Sequence, residues 1–329
     1  MTKTNQQKVK DFLINNGVII VMFILVIYTG FTSDNFFTKN NFMNILMNMS
    51  SRLVIALGIA GCVITAGCDL SAGRMIGFGA CISGMLLQRM DYSGKFFPDM
   101  QPLNVFVVAL IAMLVCAAFG TVTGFFIAYL NVPPFTAPLA MMEIVYGIGL
   151  IVTNATPLGG YVEQYTNVSN GKFLGINYLI WIAIIVAAIT WFIFNMTRHG
   201  KYMYAIGGNP QAAEVAGVPV KATLILIYMK AAAMYGLAGF MLGAKAGGAS
   251  VQTGYGYEME AIAACTIGGV SVTGGRGKVS SAIIGVAVFE LLKVALQYLG
   301  MNANAQYIAI GVVIFIAISL DIRKYIARK

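Results

Sequence analysis

The sequence predicts an all-α, polytopic membrane protein of about ten helical spans, and three observations lead there. Of 329 residues 59% are hydrophobic and only 10% are charged, where soluble chains carry about 25% charge. The mean hydropathy is +0.80. Apolar runs recur along the whole chain between short turn signals, and a bilayer core of about 30 Å needs roughly 20 such residues per crossing. No stretch remains for a soluble domain, so residues 1–329 read as one transmembrane unit.

The first run, Gly17 to Phe31, follows Lys3, Lys8 and Lys10 and so has the outline of a secretory signal. No small-x-small cleavage site follows it and many apolar segments do, which favours a retained first span over a cleaved signal. The second run centres near Leu57 and breaks at "TAGCDLSAG", Thr65 to Gly73; a short, glycine-rich third run centres near Ser83. Glycines on both sides of Asp69 point to an interrupted backbone, tolerable at membrane depth only where protein or a water-filled cavity receives its peptide groups. Two readings stand for this break. Either Asp69 or Ser71 caps the third span, or Asp69, Ser71 and Gly73 border a translocation path.

The fourth and fifth runs centre near Val115 and Tyr146, and the sixth and seventh near Ile185 and Tyr235. G-x-x-x-G spacings at Gly120–Gly124 and Gly243–Gly247 would let helix backbones approach closely. Glu143 in the fifth run has no sequence-near partner, and intramembrane carboxylates face protein, a cavity or an interface. It is the best single candidate for a pore or interface role. The eighth run, near Ala264, is again short and glycine-rich. The ninth, near Phe289, holds Glu290 and Lys293 at a spacing that favours a local ion pair. The tenth centres near Val312.

With the amino terminus in the cytoplasm, ten spans return the carboxyl terminus there too. Thirteen basic residues then fall in cytoplasmic segments: Lys3, Lys8, Lys10, Arg74, Arg198, Lys201, Lys221, Arg276, Lys278, Arg323, Lys324, Arg328 and Lys329. Five fall outside: Lys39, Arg89, Lys95, Lys172 and Lys245. That asymmetry obeys the positive-inside rule, so the net charge of +9 reports orientation and gives no support for a nucleic-acid partner.

On this topology "GGNPQAAEVAGVPV", Gly207 to Val220, is cytoplasmic, within a polar segment at about 198–221. Asn209 suits an N-cap and Pro210 the first helical position. Gly217 suits a left-handed stop, and Pro219 bars continuation. About seven helical residues follow, with Ala212, Val215 and Ala216 as a small apolar stripe and Gln211 and Glu214 off it. The segment is either a capped connector or a stiff knob gripped by a soluble partner.

The G-x-N-x-x-A-A-x-x-x-G pattern of Gly207 to Gly217, "TAGCDLSAG", and "AIAACTIGGVSVTGG" from Ala261 to Gly275 resemble the monosaccharide permeases of ATP-binding-cassette importers. "YEMEAIAAC" and the tail "LDIRKYIARK" resemble the galactose/methyl-galactoside branch more than the ribose branch. The resemblance implies the type II importer permease fold and a bacterial cytoplasmic (inner) membrane. It implies a second copy, a tandem-cassette ATPase that binds ATP and Mg²⁺, and an extracytoplasmic binding protein that delivers the monosaccharide. By the same resemblance Gly208, Asn209, Pro210, Ala212, Ala213, Glu214, Val215 and Gly217 dock on the ATPase as a coupling helix. Cys68, where a polar or small residue is expected, and the basic "GGRGKV" depart from the family pattern.

"GGRGK" is not a phosphate-binding loop, because Val272 occupies the first glycine position and Val279 follows Lys278. ATP hydrolysis belongs to another chain, and no cofactor is expected in this one. His199 is the single histidine, which leaves nothing for a metal site or a histidine-based triad. The five cysteines read as small buried hydrophobes. Hydropathy alone also permits an ion-coupled secondary transporter of a small polar solute, but intramembrane acids are few and the most patterned polar element is cytoplasmic.

Overall fold

The computed structural model describes residue 20 and residues 22–326. The amino-terminal lysines, the start of the first predicted span, and Arg328 and Lys329 lie outside the described residues. Among the described residues the helices that carry the predicted spans are, in chain order, α1 Met22–Thr32, α2 Lys39–Ile64, α3 Ala72–Leu86, α4 Val105–Tyr129, α5 Thr136–Thr153, α7 Tyr178–Met196, α10 Val220–Ala246, α11 Tyr257–Gly268, α12 Val279–Tyr298 and α13 Ala303–Ile326, six of them long and apolar enough to cross a membrane. Every predicted span centre falls inside one of them. Between the spans lie α6 Glu163–Asn170, a hairpin of β1 Lys172–Phe173 and β2 Ile176–Asn177, and the two helices of the polar segment, α8 Arg198–Gly208 and α9 Pro210–Val215.

Helix α2 is buried over 78% of its most apolar window and α4 and α7 over 28%, so α2 is a core helix while α4 and α7 show their apolar sides to lipid. Helix α10 is the hub. A Cβ on Gly236 would collide with the Ala112 carbonyl of α4, and one on Gly239 with the Ile76 carbonyl of α3. From the other side Gly120 meets the Tyr228 carbonyl and Gly124 the Ile225 backbone. The first G-x-x-x-G spacing is therefore a true helix seam, where small residues replace side-chain packing by main-chain contact. The second is not. Gly243 makes room for the Tyr165 hydroxyl, while Gly247 is the left-handed C-cap of α10, at φ 66°.

The carboxyl-terminal end of α10 is closed by α6, whose Tyr165 hydroxyl donates to the Phe240 carbonyl at 2.7 Å and whose Ser169 hydroxyl donates to the Ala244 carbonyl at 3.1 Å.

Helices α3 and α11 are too short to cross. At 1.5 Å per residue they reach about 22 Å and about 18 Å, so each begins within the membrane. Their starts meet. Gly73 in the first turn of α3 lies against Gly254 and the Glu258 carboxylate in the first turn of α11, with no room for a Cβ. Such paired half-helices are the arrangement that sites at the bilayer midplane use.

Candidate functional site

The polar segment is built as its sequence dictates. Asn209 Oδ1 accepts from the Ala212 amide at 3.0 Å and Pro210 takes the first helical position. Gly217 stands at φ 82°, after which the chain turns into α10. Helix α9 has six residues, one fewer than predicted, because Ala216 is its C-cap. Its outward face carries Gln211, Ala212, Glu214 and Val215, the last 90% exposed, and Gly208 has open space beside it. Ala213 departs from the predicted docking set, since it is 5% exposed and packs inward against its own chain.

Helix α8 ties this knob to the membrane body. A Cβ on Gly207 would collide with the Ile64 carbonyl at the end of α2, and the same carbonyl accepts from the Gly275 amide at 2.8 Å. The Tyr204 hydroxyl donates to the Gly277 carbonyl at 2.8 Å. Burial raises the affinity of that hydroxyl for its proton, so it stays a donor. Thus α8 rests at once on the α2–α3 break and on the α11–α12 turn.

In the break the Asp69 carboxylate accepts from the Ser71 amide at 3.1 Å and the Ser71 hydroxyl at 2.5 Å. Both residues are buried, at 1% and 0%. Asp69 Oδ1 thus closes a local turn onto Ser71 at the entry to α3, whose N-cap, Ser71, makes no side-chain bond into the helix. One residue past Gly73, however, the chain presents Arg74. Its guanidinium lies 3.9 Å from the Tyr146 ring centre and 4.5 Å from that of Tyr255, and Nη1 donates to Gln252 Oε1 at 2.8 Å. Gln252 Nε2 in turn donates to the Tyr146 hydroxyl at 3.1 Å. Stacking on rings is the use that suits a planar guanidinium. Glu143, three residues before Tyr146 on α5, is exposed on the same face. Gln252 and Tyr255 are exposed beside it.

A cation held between aromatic rings at the start of a short apolar helix is thus joined through a packed seam to an exposed, capped helix. The family described as branched-chain amino acid transport system / permease component matches residues 41–318. The chain belongs to that family. Two galactose/methyl galactoside import permease proteins MglC, from Escherichia coli (strain K12) and Haemophilus influenzae, are 38% and 40% identical to this permease over the full length of both chains. The ribose import permease protein RbsC of Escherichia coli (strain K12) is 31% identical over 96% of each chain. No solved structure matches. As a permease component the chain is a multi-pass, non-catalytic membrane subunit.

Sequence reasoning placed Arg74 among the loop cations, because the boundary of the short third span was blurred by its glycines. The permease holds it between the Tyr146 and Tyr255 rings. It also paired Glu290 with Lys293 along one helix, and here tertiary structure overrides local spacing. Glu260 Oε1 accepts from Lys293 Nζ at 2.8 Å and its Oε2 from Arg52 Nη1 at 2.6 Å, while Arg52 Nε faces Glu290 at 3.0 Å. Lys245, counted outside, bonds Asn48 from the last turn of α10. This cluster joins α2, α10, α11 and α12 and bounds a polar cavity of about 270 Å³ with Gln297, Gln306 and Tyr307. Its two carboxylates are held by Arg52 and Lys293, while Lys245 bonds the neutral Asn48.

Proposed function

We propose that this permease is the membrane subunit of an ATP-driven importer that moves galactose or a methyl galactoside into the cytoplasm. Full-length identity of 38% and 40% to galactose/methyl galactoside import permeases, against 31% for the ribose permease, carries the reading. ATP and Mg²⁺ bind a separate, tandem-cassette ATPase; an extracytoplasmic binding protein delivers the sugar; and two copies of the permease, in the inner membrane with their termini cytoplasmic, match the two cassettes. Helix α9 is the coupling helix. Its caps hold it rigid, and Ala212 and Val215 give an apolar contact face.

The sugar passes the α5 face of each copy, where Glu143, Tyr146, Gln252 and Tyr255 surround Arg74. Ring faces with fixed donors and acceptors suit a hydroxyl-rich ring. An exposed carboxylate in mid-span is costly against lipid, so Glu143 belongs at this path or against the second copy. The relatives give the ion-coupled alternative no support, being import permeases, and Glu260 and Glu290 are held by cations and are not free to carry an ion.

Vesicles containing the permease with its ATPase, and the binding protein on the opposite face, test this directly. Labelled galactose should accumulate only when ATP is hydrolysed. Uptake by the permease alone on an ion gradient, or uptake of leucine in place of galactose by the full complex, would overturn it.

A further inference from the structure

We propose that the cavity between the end of α7 and the start of α12 is a binding site for an anionic phospholipid. It has a volume of about 570 Å³ and is lined by Asn195, Tyr204, Arg276, Lys278, Ser281 and the glycines of the α11–α12 turn. That volume lies within the roughly 300–1,000 Å³ of small-ligand sites. Two of its walls are fixed: Asn195 Nδ2 donates to the Trp191 carbonyl at 2.8 Å, and Tyr204 holds Gly277. The cations are not. Among the described residues no ion pair involves Arg276 or Lys278, and both are exposed.

The same end of the molecule carries Arg198, Lys201 and Lys221, with Glu214 as the one carboxylate between residues 198 and 278 outside the spans and the loop before α11. Against the five cations Arg198, Lys201, Lys221, Arg276 and Lys278 this face sets one carboxylate, Glu214. Beside the cationic rim, Phe192 on α7 and Ile284 on α12 are 56% and 52% exposed, and both lie on membrane spans. A soluble anion would use the rim alone. A phospholipid uses both parts, its phosphodiester on Arg276 and Lys278 and its acyl chains along Phe192 and Ile284. Basic pockets between spans hold anionic headgroups in this way. Only the membrane placement of the spans is needed for this site; the sugar reading is not.

The permease, inserted in nanodiscs of phosphatidylethanolamine doped with phosphatidylglycerol, would be released and its retained lipid measured by native mass spectrometry. Wild-type protein should retain phosphatidylglycerol selectively. The double variant R276Q/K278Q should weaken retention about 30-fold, the effect of two cations at a membrane surface. The control R198Q/K201Q removes the same charge from outside the cavity and should stay near wild type. Equal loss in both variants would mean general surface attraction and would overturn the site. So would displacement by glycerol phosphate at equal concentration, which marks a soluble-anion site. Loss of the ATPase with lipid retained in R276Q/K278Q would make the cavity a partner contact and would equally overturn it. None of these readings uses sugar uptake.

Discussion

The Arg74 guanidinium stacks 3.9 Å from the centre of the Tyr146 ring and so fastens the first turn of α3 to the middle of α5. At a half-exposed site such a stack is worth about 1 kcal/mol, or roughly fivefold in an equilibrium. Tyr146→Ala should therefore lower sugar uptake about fivefold with ATPase binding intact. Tyr146→Phe should cost less, because the ring face stays and only the Gln252 bond is lost. Equal loss for Phe and Ala would show that the hydroxyl, and not the stack, matters.

Glu260 compensates two cations from two helices, Arg52 and Lys293. Glu260→Gln should destabilise the permease by about 3 kcal/mol, because a lone buried charge is left behind. Adding Lys293→Met should recover part of that loss. Thermal unfolding in detergent measures both; a Glu260→Gln protein as stable as wild type would remove the cluster from the list of structural ties.

His199, in the first turn of α8, is pushed down to about 4 by burial first and then by Lys230 of α10. Unfolded, it titrates near 6.5. Between these values the unfolded chain binds the proton and the folded chain does not, so stability is complete above about pH 6.5 and is lost as pH falls towards 4. His199→Gln should flatten unfolding midpoints across that window relative to wild type. An unchanged pH profile would contradict the assignment.

On α9 the burial pattern separates two outcomes. Val215→Asp and Ala212→Trp alter the exposed face and should reduce ATPase capture while leaving insertion normal. Ala213→Trp should instead disturb α9 itself, since Ala213 is buried. Gly217→Val places a β-branched residue at φ 82° and should cost about 1–2 kcal/mol locally. If Val215→Asp captures ATPase and supports uptake at wild-type levels, α9 is a connector.

The positions of the apolar helices and the caps of α9 were legible because hydropathy and capping are local properties. Asn209, Pro210 and Gly217 announce their roles within eleven residues. The ion pairs were not, for Arg52 and Glu260 lie 208 positions apart and the nearer Glu290–Lys293 spacing offered a false partner. Arg74 was hidden for a different reason: the glycines that let α3 start inside the membrane also erase the hydropathic edge that would have located it. Helix α6 and the β1–β2 hairpin carry no apolar period, so nothing in a span search could find them.

At Gly207 the backbone of α8 touches the backbone of Ile64 with no side chain between them. Displacement at a side-chain contact can be taken up by a rotamer change, but here no torsion is available to absorb it. The joint has no backlash. With α9 as the proposed coupling helix, these contacts lead from it to the α2–α3 break and, through Gly275 and Gly277, to the α11–α12 turn. Gly207→Ala should then leave the ATPase bound and hydrolysing while uptake falls, and tight coupling in that variant would contradict it. Two half-helices that share one inflexible bearing keep time with each other without any messenger between them.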